Sequence, residues 1–194
     1  MATFLQVVEL HGVAELPPAT RVLYDVHANT VSFLRGSAFV ADSDHHDFEL
    51  VTEGSHLSFE LVDAPAPGAL MARELALPVG EYLLRCDRVD FPPGGEAFLH
   101  THQGPGIRVL LFGSIRIETQ GATHDYGPGE PWFEAGPDPV YASTHAHEPT
   151  AFVRCMVLPR DLRGSPSIRY VRDEDRDRPK SQRYTVFLDE PVEL

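Results

Sequence analysis

The chain has 194 residues, with 29 acidic and 16 basic side chains and a formal net charge of −13 at pH 7. This length is sufficient for one domain or two small ones, and a hydrophobic content of 42% excludes a wholly disordered chain. The acidic balance makes nucleic acid an unfavourable partner, because phosphate binding requires a basic face. No apolar run approaches the roughly 18 residues of a membrane span, so we expect no membrane partner either.

The cellular compartment is predicted from the first residues and from the cysteines. The segment MATFLQVVELHG lacks the basic start and long apolar stretch of a secretory signal, so we expect a cytoplasmic protein. The two cysteines, Cys86 and Cys155, lie in apolar, strand-like runs. We expect two buried thiols in a reducing compartment, rather than a disulfide or a nucleophile.

Short runs rich in Val, Leu, Ile, Phe and Tyr alternate with Gly and Pro along the chain, a pattern typical of all-β proteins. The predicted strands are Phe4–Leu10, Arg21–Val26, Thr30–Leu34, Phe48–Thr52, His56–Val62, Glu81–Phe91, Glu96–His102, Ile107–Phe112, Ser114–Thr119, Trp132–Glu134, Val140–Ala142 and Ala151–Leu158. Leu16–Thr20 and Ala64–Ala69 are predicted to be proline-rich connections, and Ala41–Asp47 a polar loop. Ala69–Leu77 fits a short helix or a strand equally well.

One predicted strand carries two histidines at a spacing suited to shared chemistry. His100 and His102 are two residues apart, so both rings project from the same face, about 6–7 Å apart along the backbone. Two imidazoles on one face can bind one metal ion. They can also serve as hydrogen-bonding or acid–base groups without metal, or be structural residues only. A second pair, His145 and His147, lies in a polar turn and is predicted to be exposed.

The sequence around the first pair resembles the first motif of the cupin family. Gly95 lies five residues before the pair, and Gly113 coincides with the closing glycine of that motif. The segment Tyr126–Thr144 resembles the second cupin motif. The resemblance covers about Glu81–Pro159, and it implies an all-β fold, a cupin-type antiparallel jelly-roll barrel.

The sequence departs from the cupin motifs at two ligand positions. Gly106 stands where the family has its metal-binding glutamate. The position of the family's third histidine ligand falls on or near Val140. If a metal is bound, the resemblance implies one divalent ion of Fe, Mn, Ni or Zn on the two histidines. Gln103 and Glu134 are then the candidates for completing the ligand set.

Glu134 and three further residues are candidates for substrate binding. Arg108 lies in an apolar run and faces the barrel if the strand alternates regularly. A buried guanidinium requires a partner, which is either Glu134 in a structural ion pair or the carboxylate of a substrate. Trp132 and Tyr141 are aromatic candidates for a pocket mouth.

The resemblance suggests a domain organisation around the barrel. We expect residues 1–78 to form a β-rich extension packing on the barrel, 79–160 the barrel and 161–194 a C-terminal arm. The arm contains the charged stretch VRDEDRDRPKSQR and ends in YTVFLDEPVEL, whose alternation predicts a last strand. That strand returns to the body or to a neighbouring subunit, so a homodimer is a plausible assembly.

Two classes of function remain open. The first is a metal-dependent enzyme of oxygenase or isomerase type acting on a small organic molecule. The second is a non-catalytic or metal-free small-molecule-binding protein that uses the same residues as polar groups of its pocket. The sequence contains no Gly-x-Ser-x-Gly elbow, phosphate loop or Cys-x-x-Cys pair, so serine hydrolases, nucleotide enzymes and zinc fingers are disfavoured.

Overall fold

The computed structural model describes residues 2–11, 14–40 and 55–194. The predicted strand Phe48–Thr52 and the predicted loop Ala41–Asp47 lie outside these residues. Antiparallel strands form three five-stranded sheets, so the all-β class is confirmed. The chain divides into two units, Met1–Ala76 and Leu77–Leu194, which we describe separately. Within the described ranges, no helix has the length and apolar character needed to cross a membrane.

The first unit contains one antiparallel sheet with the strand order β3-β2-β4-β1-β5. Its strands are β1 (Phe4–His11), β2 (Ala14–Asp25), β3 (Thr30–Val40), β4 (Ser55–Val62) and β5 (Met71–Glu74). The ambiguous segment Ala69–Leu77 therefore contains a strand, because Met71–Glu74 pairs with β1 at the edge of the sheet. Val7, Val22 and Phe59 form a fully buried apolar row across β1, β2 and β4.

The prediction of a proline-rich connection over Leu16–Thr20 was wrong, because this segment lies inside β2. The register of β2 against β3 shifts between Leu16 and Ala19, which is where Pro17 and Pro18 stand. The described part of β4 pairs with β2 only from Thr20 onward. The prolines thus lie at an irregularity with a β-partner on one side, which is where a strand tolerates residues without an N–H group.

The second unit is a jelly roll of two antiparallel sheets with the orders β10-β9-β12-β7-β14 and β11-β8-β13-β6-β15. Its strands are β6 (Glu81–Phe91), β7 (Glu96–His102), β8 (Gly106–Phe112), β9 (Ile115–Thr119), β10 (Ala122–Tyr126), β11 (Pro131–Glu134), β12 (Val140–Thr144), β13 (Thr150–Pro159), β14 (Ile168–Tyr170) and β15 (Arg183–Glu193). The predicted cupin-type jelly roll is confirmed as the fold class. Its core contains side chains from both sheets, including Leu110, Trp132 and Phe152 from one and Ile117 and Val140 from the other.

The central strand β13 is buried from Thr150 to Leu158 and pairs with β6 on one side and β8 on the other. Cys155 on β13 lies directly opposite Cys86 on β6, and both are buried free thiols. Burial raises the pKa of each thiol well above its usual value. The cysteines are therefore packing residues held in the protonated form.

The last 34 residues supply one edge strand of each sheet, β14 and β15. Strand β14 pairs with β7, so that Tyr170 lies opposite His100, and β15 pairs with β6 over almost its whole length. The strand predicted from the alternation at the C-terminus is thus present and belongs to the sheet of its own chain.

Candidate functional site

The two histidines of β7 point into the space between the sheets, as their spacing predicted, and each is only 5% exposed. The Nδ1 atom of His100 lies 2.7 Å from the carbonyl oxygen of Phe98. Because a carbonyl only accepts, this nitrogen carries the proton and the Nε2 atom of His100 is an acceptor. The Nε2 atom of His102 is 3.2 Å from that acceptor, and so it is the protonated nitrogen of His102.

Glu134 on β11 is the carboxylate that lies next to this pair. Its Oε1 atom accepts a hydrogen bond of 2.9 Å from the indole nitrogen of Trp132. Its Oε2 atom is 2.7 Å from Nη2 of Arg108 and 3.2 Å from Nε2 of His102. The predicted ion pair between Arg108 and Glu134 is therefore present, and Trp132 belongs to the same cluster.

Burial and this ion pair set the charges of the cluster. Burial alone would raise the pKa of the Glu134 carboxyl, but the Arg108 guanidinium and the nearby His102 hold it well below its usual value. Burial lowers the pKa of His102 to about 3 and also lowers the pKa of His100, since Glu134 only partly opposes this effect. Burial lowers the pKa of Arg108 to about 10, which still leaves it charged at pH 7. The cluster thus holds one cation, one anion and two neutral imidazoles.

Two of the predicted site residues lie away from this cluster. Gln103 lies just beyond the end of β7, and its side-chain amide donates to the carbonyl of Pro166. The hydroxyl of Tyr141 donates to Glu96, 2.7 Å away, on the opposite face of β12 from the buried Val140 and Ala142. The structure therefore does not bring Gln103 or Tyr141 to the histidines.

The two positions at which the sequence departs from the cupin motifs, Gly106 and Val140, are both tightly packed. A Cβ atom on Gly106 would lie 2.6 Å from Cγ of Met156 and 2.7 Å from the carbonyl oxygen of Cys155, so a glutamate has no room there. Val140 is buried opposite His100 and is part of the hydrophobic core. In the described part of the chain, no three His, Cys, Asp or Glu side chains form a group that could hold a metal ion.

The close contact at Gly106 has a measurable consequence. We expect Gly106→Ala to lower the free energy of unfolding of the second unit by about 1–3 kcal/mol, because the added methyl group overpacks the sheet. Urea denaturation followed by the fluorescence of Trp132 measures this change. Gly127→Ala is the control, since a Cβ there has its nearest contact at an ordinary 3.6 Å. Equal stability of the two variants would contradict the packing argument.

A small cavity is lined by the cluster, and a larger pocket shares two lining residues with that cavity. The cavity, lined by the two histidines, Arg108 and Glu134 among others, measures about 20 Å³, which is space for one water molecule. A pocket of about 390 Å³ has lining residues on the edge strands β14 and β15. Arg154 and Tyr184 line the cavity and the pocket alike, and so they form the partition between them.

The sequence analysis did not single out the residues of this partition. Arg154 is buried on β13 and makes two hydrogen bonds to Asp87 on β6, of 2.6 and 3.0 Å. Its guanidinium carbon lies 5.5 Å from the ring centre of Tyr184. Arg154 is a single charged residue in an apolar run, which is the signal that identified Arg108, and the same reasoning could have found it.

No family model matches the chain, and no curated protein matches its sequence significantly. Similar solved structures include the polyketide cyclase RemF from Streptomyces resistomycificus, with 24% identity over 45% of this chain and 61% of that one and a TM-score of 0.38. AerE from Microcystis aeruginosa has 11% identity over 81% of this chain and 88% of its own, with a TM-score of 0.50. A DUF861-family protein of unknown function from Pseudomonas syringae has 12% identity over 79% and 81% of the two chains and a TM-score of 0.40. The chain thus spans less than two thirds of the cyclase, and the likeness to AerE concerns the fold alone.

Proposed function

We propose that the second unit binds a small organic molecule without a metal ion held by the protein. The observation that carries this proposal is the environment of Glu134, the carboxylate next to the histidines. It is already bonded to Trp132 and paired with Arg108. The network therefore holds the two neutral imidazoles in place as hydrogen-bonding groups of a barrel interior.

The charge of the cluster argues against a divalent ion at this position. Arg108 and Glu134 neutralise each other, and the histidines are neutral. A divalent cation would leave two uncompensated positive charges in a buried space, which is strongly unfavourable. With Gly106 and Val140 in place of the usual ligands, no second carboxylate or third imidazole offsets this cost.

The ligand would occupy the larger pocket. Its volume of about 390 Å³ falls within the range of small-molecule sites, whereas the cavity beside the histidines accommodates only a water molecule. Arg154 and Tyr184 connect the two spaces, so a molecule in the pocket lies one side-chain layer from the histidines. Movement of Tyr184, which is 41% exposed, would join them.

A second candidate function is a metal centre on the two histidines alone. Their Nε2 atoms are 3.2 Å apart, a separation that two ligands about 2.1 Å from one ion can have. His102 would have to release the proton on Nε2. An Fe, Mn, Ni or Zn ion there would supply Lewis-acid or oxygen-binding chemistry for an oxygenase or isomerase.

Metal content distinguishes the two candidates. We expect the full chain, purified without chelator, to contain well under one Fe, Mn, Ni or Zn ion per chain by plasma mass spectrometry. We expect the double variant His100→Ala/His102→Ala to contain the same amount. The exposed pair provides the matched control, His145→Ala/His147→Ala. About one ion per chain that is lost in the first variant and kept in the second would establish the metal centre instead.

A ligand screen tests the binding function itself. We expect members of a library of small organic molecules to raise the melting temperature of the full chain. This effect should be lost in Ile168→Trp, whose larger side chain fills the pocket. If every stabilising compound acts equally on Ile168→Trp, or if none stabilises the full chain, binding in this pocket is contradicted.

A further inference from the structure

The charged side chains of the pocket are all paired with one another. Arg154 is bonded to Asp87, and Arg85 is bonded to Asp189 at 2.6 and 3.2 Å. Arg85 also donates to two backbone carbonyls, those of Leu162 and Ser165. The pocket therefore contains two cations and two anions, and every one of them has its partner within the pocket wall.

The remaining side chains of the wall are mostly apolar. Pro166 and Ile168 contribute from the β14 side, and Tyr184 and Val186 contribute from β15. Tyr184 and Val186 are 41% and 53% exposed, which is high for large hydrophobic side chains. The ring of Tyr184 rests against the guanidinium of Arg154 and so presents a flat apolar surface to the pocket.

We propose that this pocket takes an uncharged, largely apolar ring compound and rejects carboxylates and ammonium ions. This inference rests on the proposed function and specifies its ligand. A carboxylate would need a free cation, yet Arg85 and Arg154 are both engaged. Drawing Arg154 away from Asp87 would leave that buried carboxylate unpaired. A cationic ligand would have to draw Asp87 or Asp189 away from its arginine, which would then be left unpaired.

Three probes with one ring system and different charges test this inference. At pH 7, 2-naphthol is neutral, 2-naphthoate is an anion and 2-naphthylmethylammonium is a cation. We expect 2-naphthol to bind the full chain at least about tenfold more tightly than either ion by isothermal titration calorimetry, because each ion must be buried without a partner. An ion that binds as tightly as 2-naphthol would overturn the inference, and so would a failure of 2-naphthol to bind.

Variants of the pocket wall provide a second test. Val186→Arg places an unpaired cation at the rim, so we expect it to raise the affinity for 2-naphthoate about tenfold or more, whereas the control Val186→Thr leaves it unchanged. Asp87→Asn should also raise the affinity for 2-naphthoate, because it releases Arg154 from its ion pair. If Asp87→Asn does not fold, Val186→Arg alone provides the test. Unchanged 2-naphthoate affinity in Val186→Arg would contradict the charge argument.

The location of binding is tested separately. Ile168→Trp should abolish the binding of 2-naphthol, and full binding to this variant would show that the probe lies elsewhere. If 2-naphthoate is the tightest probe and Ile168→Trp removes its binding, only the inference on charge fails. The proposed function, a small-molecule site in this pocket, would then still hold.

Discussion

Replacing Glu134 with glutamine is expected to lower the free energy of unfolding of the second unit by about 3–5 kcal/mol. The amide has nearly the same shape as the carboxylate, but it leaves the guanidinium of Arg108 buried without a counter-charge. Urea denaturation followed by tryptophan fluorescence measures the loss. Trp132 is the only tryptophan of the chain, so the signal reports this unit and not residues 1–76.

The control for this variant is Glu118→Gln, which makes the same chemical change at an exposed residue of β9. Its stability should stay within about 0.5 kcal/mol of the unchanged protein. A second arm removes both charges: Arg108→Met/Glu134→Gln should be more stable than Glu134→Gln alone, since no buried charge is then left unpaired. If Glu134→Gln is as stable as Glu118→Gln, the ion pair does not hold the cluster together.

The stability of the second unit is expected to fall as the pH decreases from 6.5 towards 3. In the folded unit the pKa of His102 is about 3, against 6.5 for an unperturbed imidazole. Between these values the unfolded chain binds a proton at this residue and the folded unit does not. The contribution of His102 to the free energy of unfolding is therefore complete above pH 6.5. Below pH 6.5 this contribution decreases by up to about 1.4 kcal/mol per pH unit. Glu134 adds to the loss below pH 4.5, because its folded pKa is also lowered.

Denaturation curves at half-unit intervals from pH 7 to pH 4 measure this slope. The free energy of unfolding of His102→Gln should depend less steeply on pH than that of the unchanged protein. The slope that remains comes in part from His100, whose pKa is also lowered. His124→Gln changes an exposed histidine and should keep the full slope. Equal slopes for all three proteins would mean that His102 is not held neutral by burial.

Much of the fold could be predicted from the period-two alternation of apolar residues. The predicted bounds of Glu81–Phe91 and Glu96–His102 coincide with β6 and β7. Strand β10, Ala122–Tyr126, was missed because nearly all of its residues are exposed. Its sequence therefore lacks the alternation of apolar and polar residues that indicates a strand with one buried face. The three residues of β14 are too few to show any period.

The candidate site was predictable where it follows from the spacing within one strand or from the cost of burying a single charge. The common face of His100 and His102 follows from their spacing, and the pairing of Arg108 followed from the cost of burying an unpaired charge. Arg154 and Tyr184 meet the site through the registers of β13 and β15 on β6. Register depends on the pairing of distant segments, and no local pattern of the sequence specifies it.

The facing cysteines of β6 and β13 make the transient separation of these two strands measurable by chemical labelling. The thiolate is the nucleophile that attacks an alkylating reagent and displaces its leaving group. Cys86 and Cys155 are buried with raised pKa values, so neither reacts while the central strands stay paired. Their labelling rate in native buffer therefore measures how often the centre of the sheet separates. Since residues 1–76 contain no cysteine, that rate follows the second unit alone, and a bound ligand would slow it.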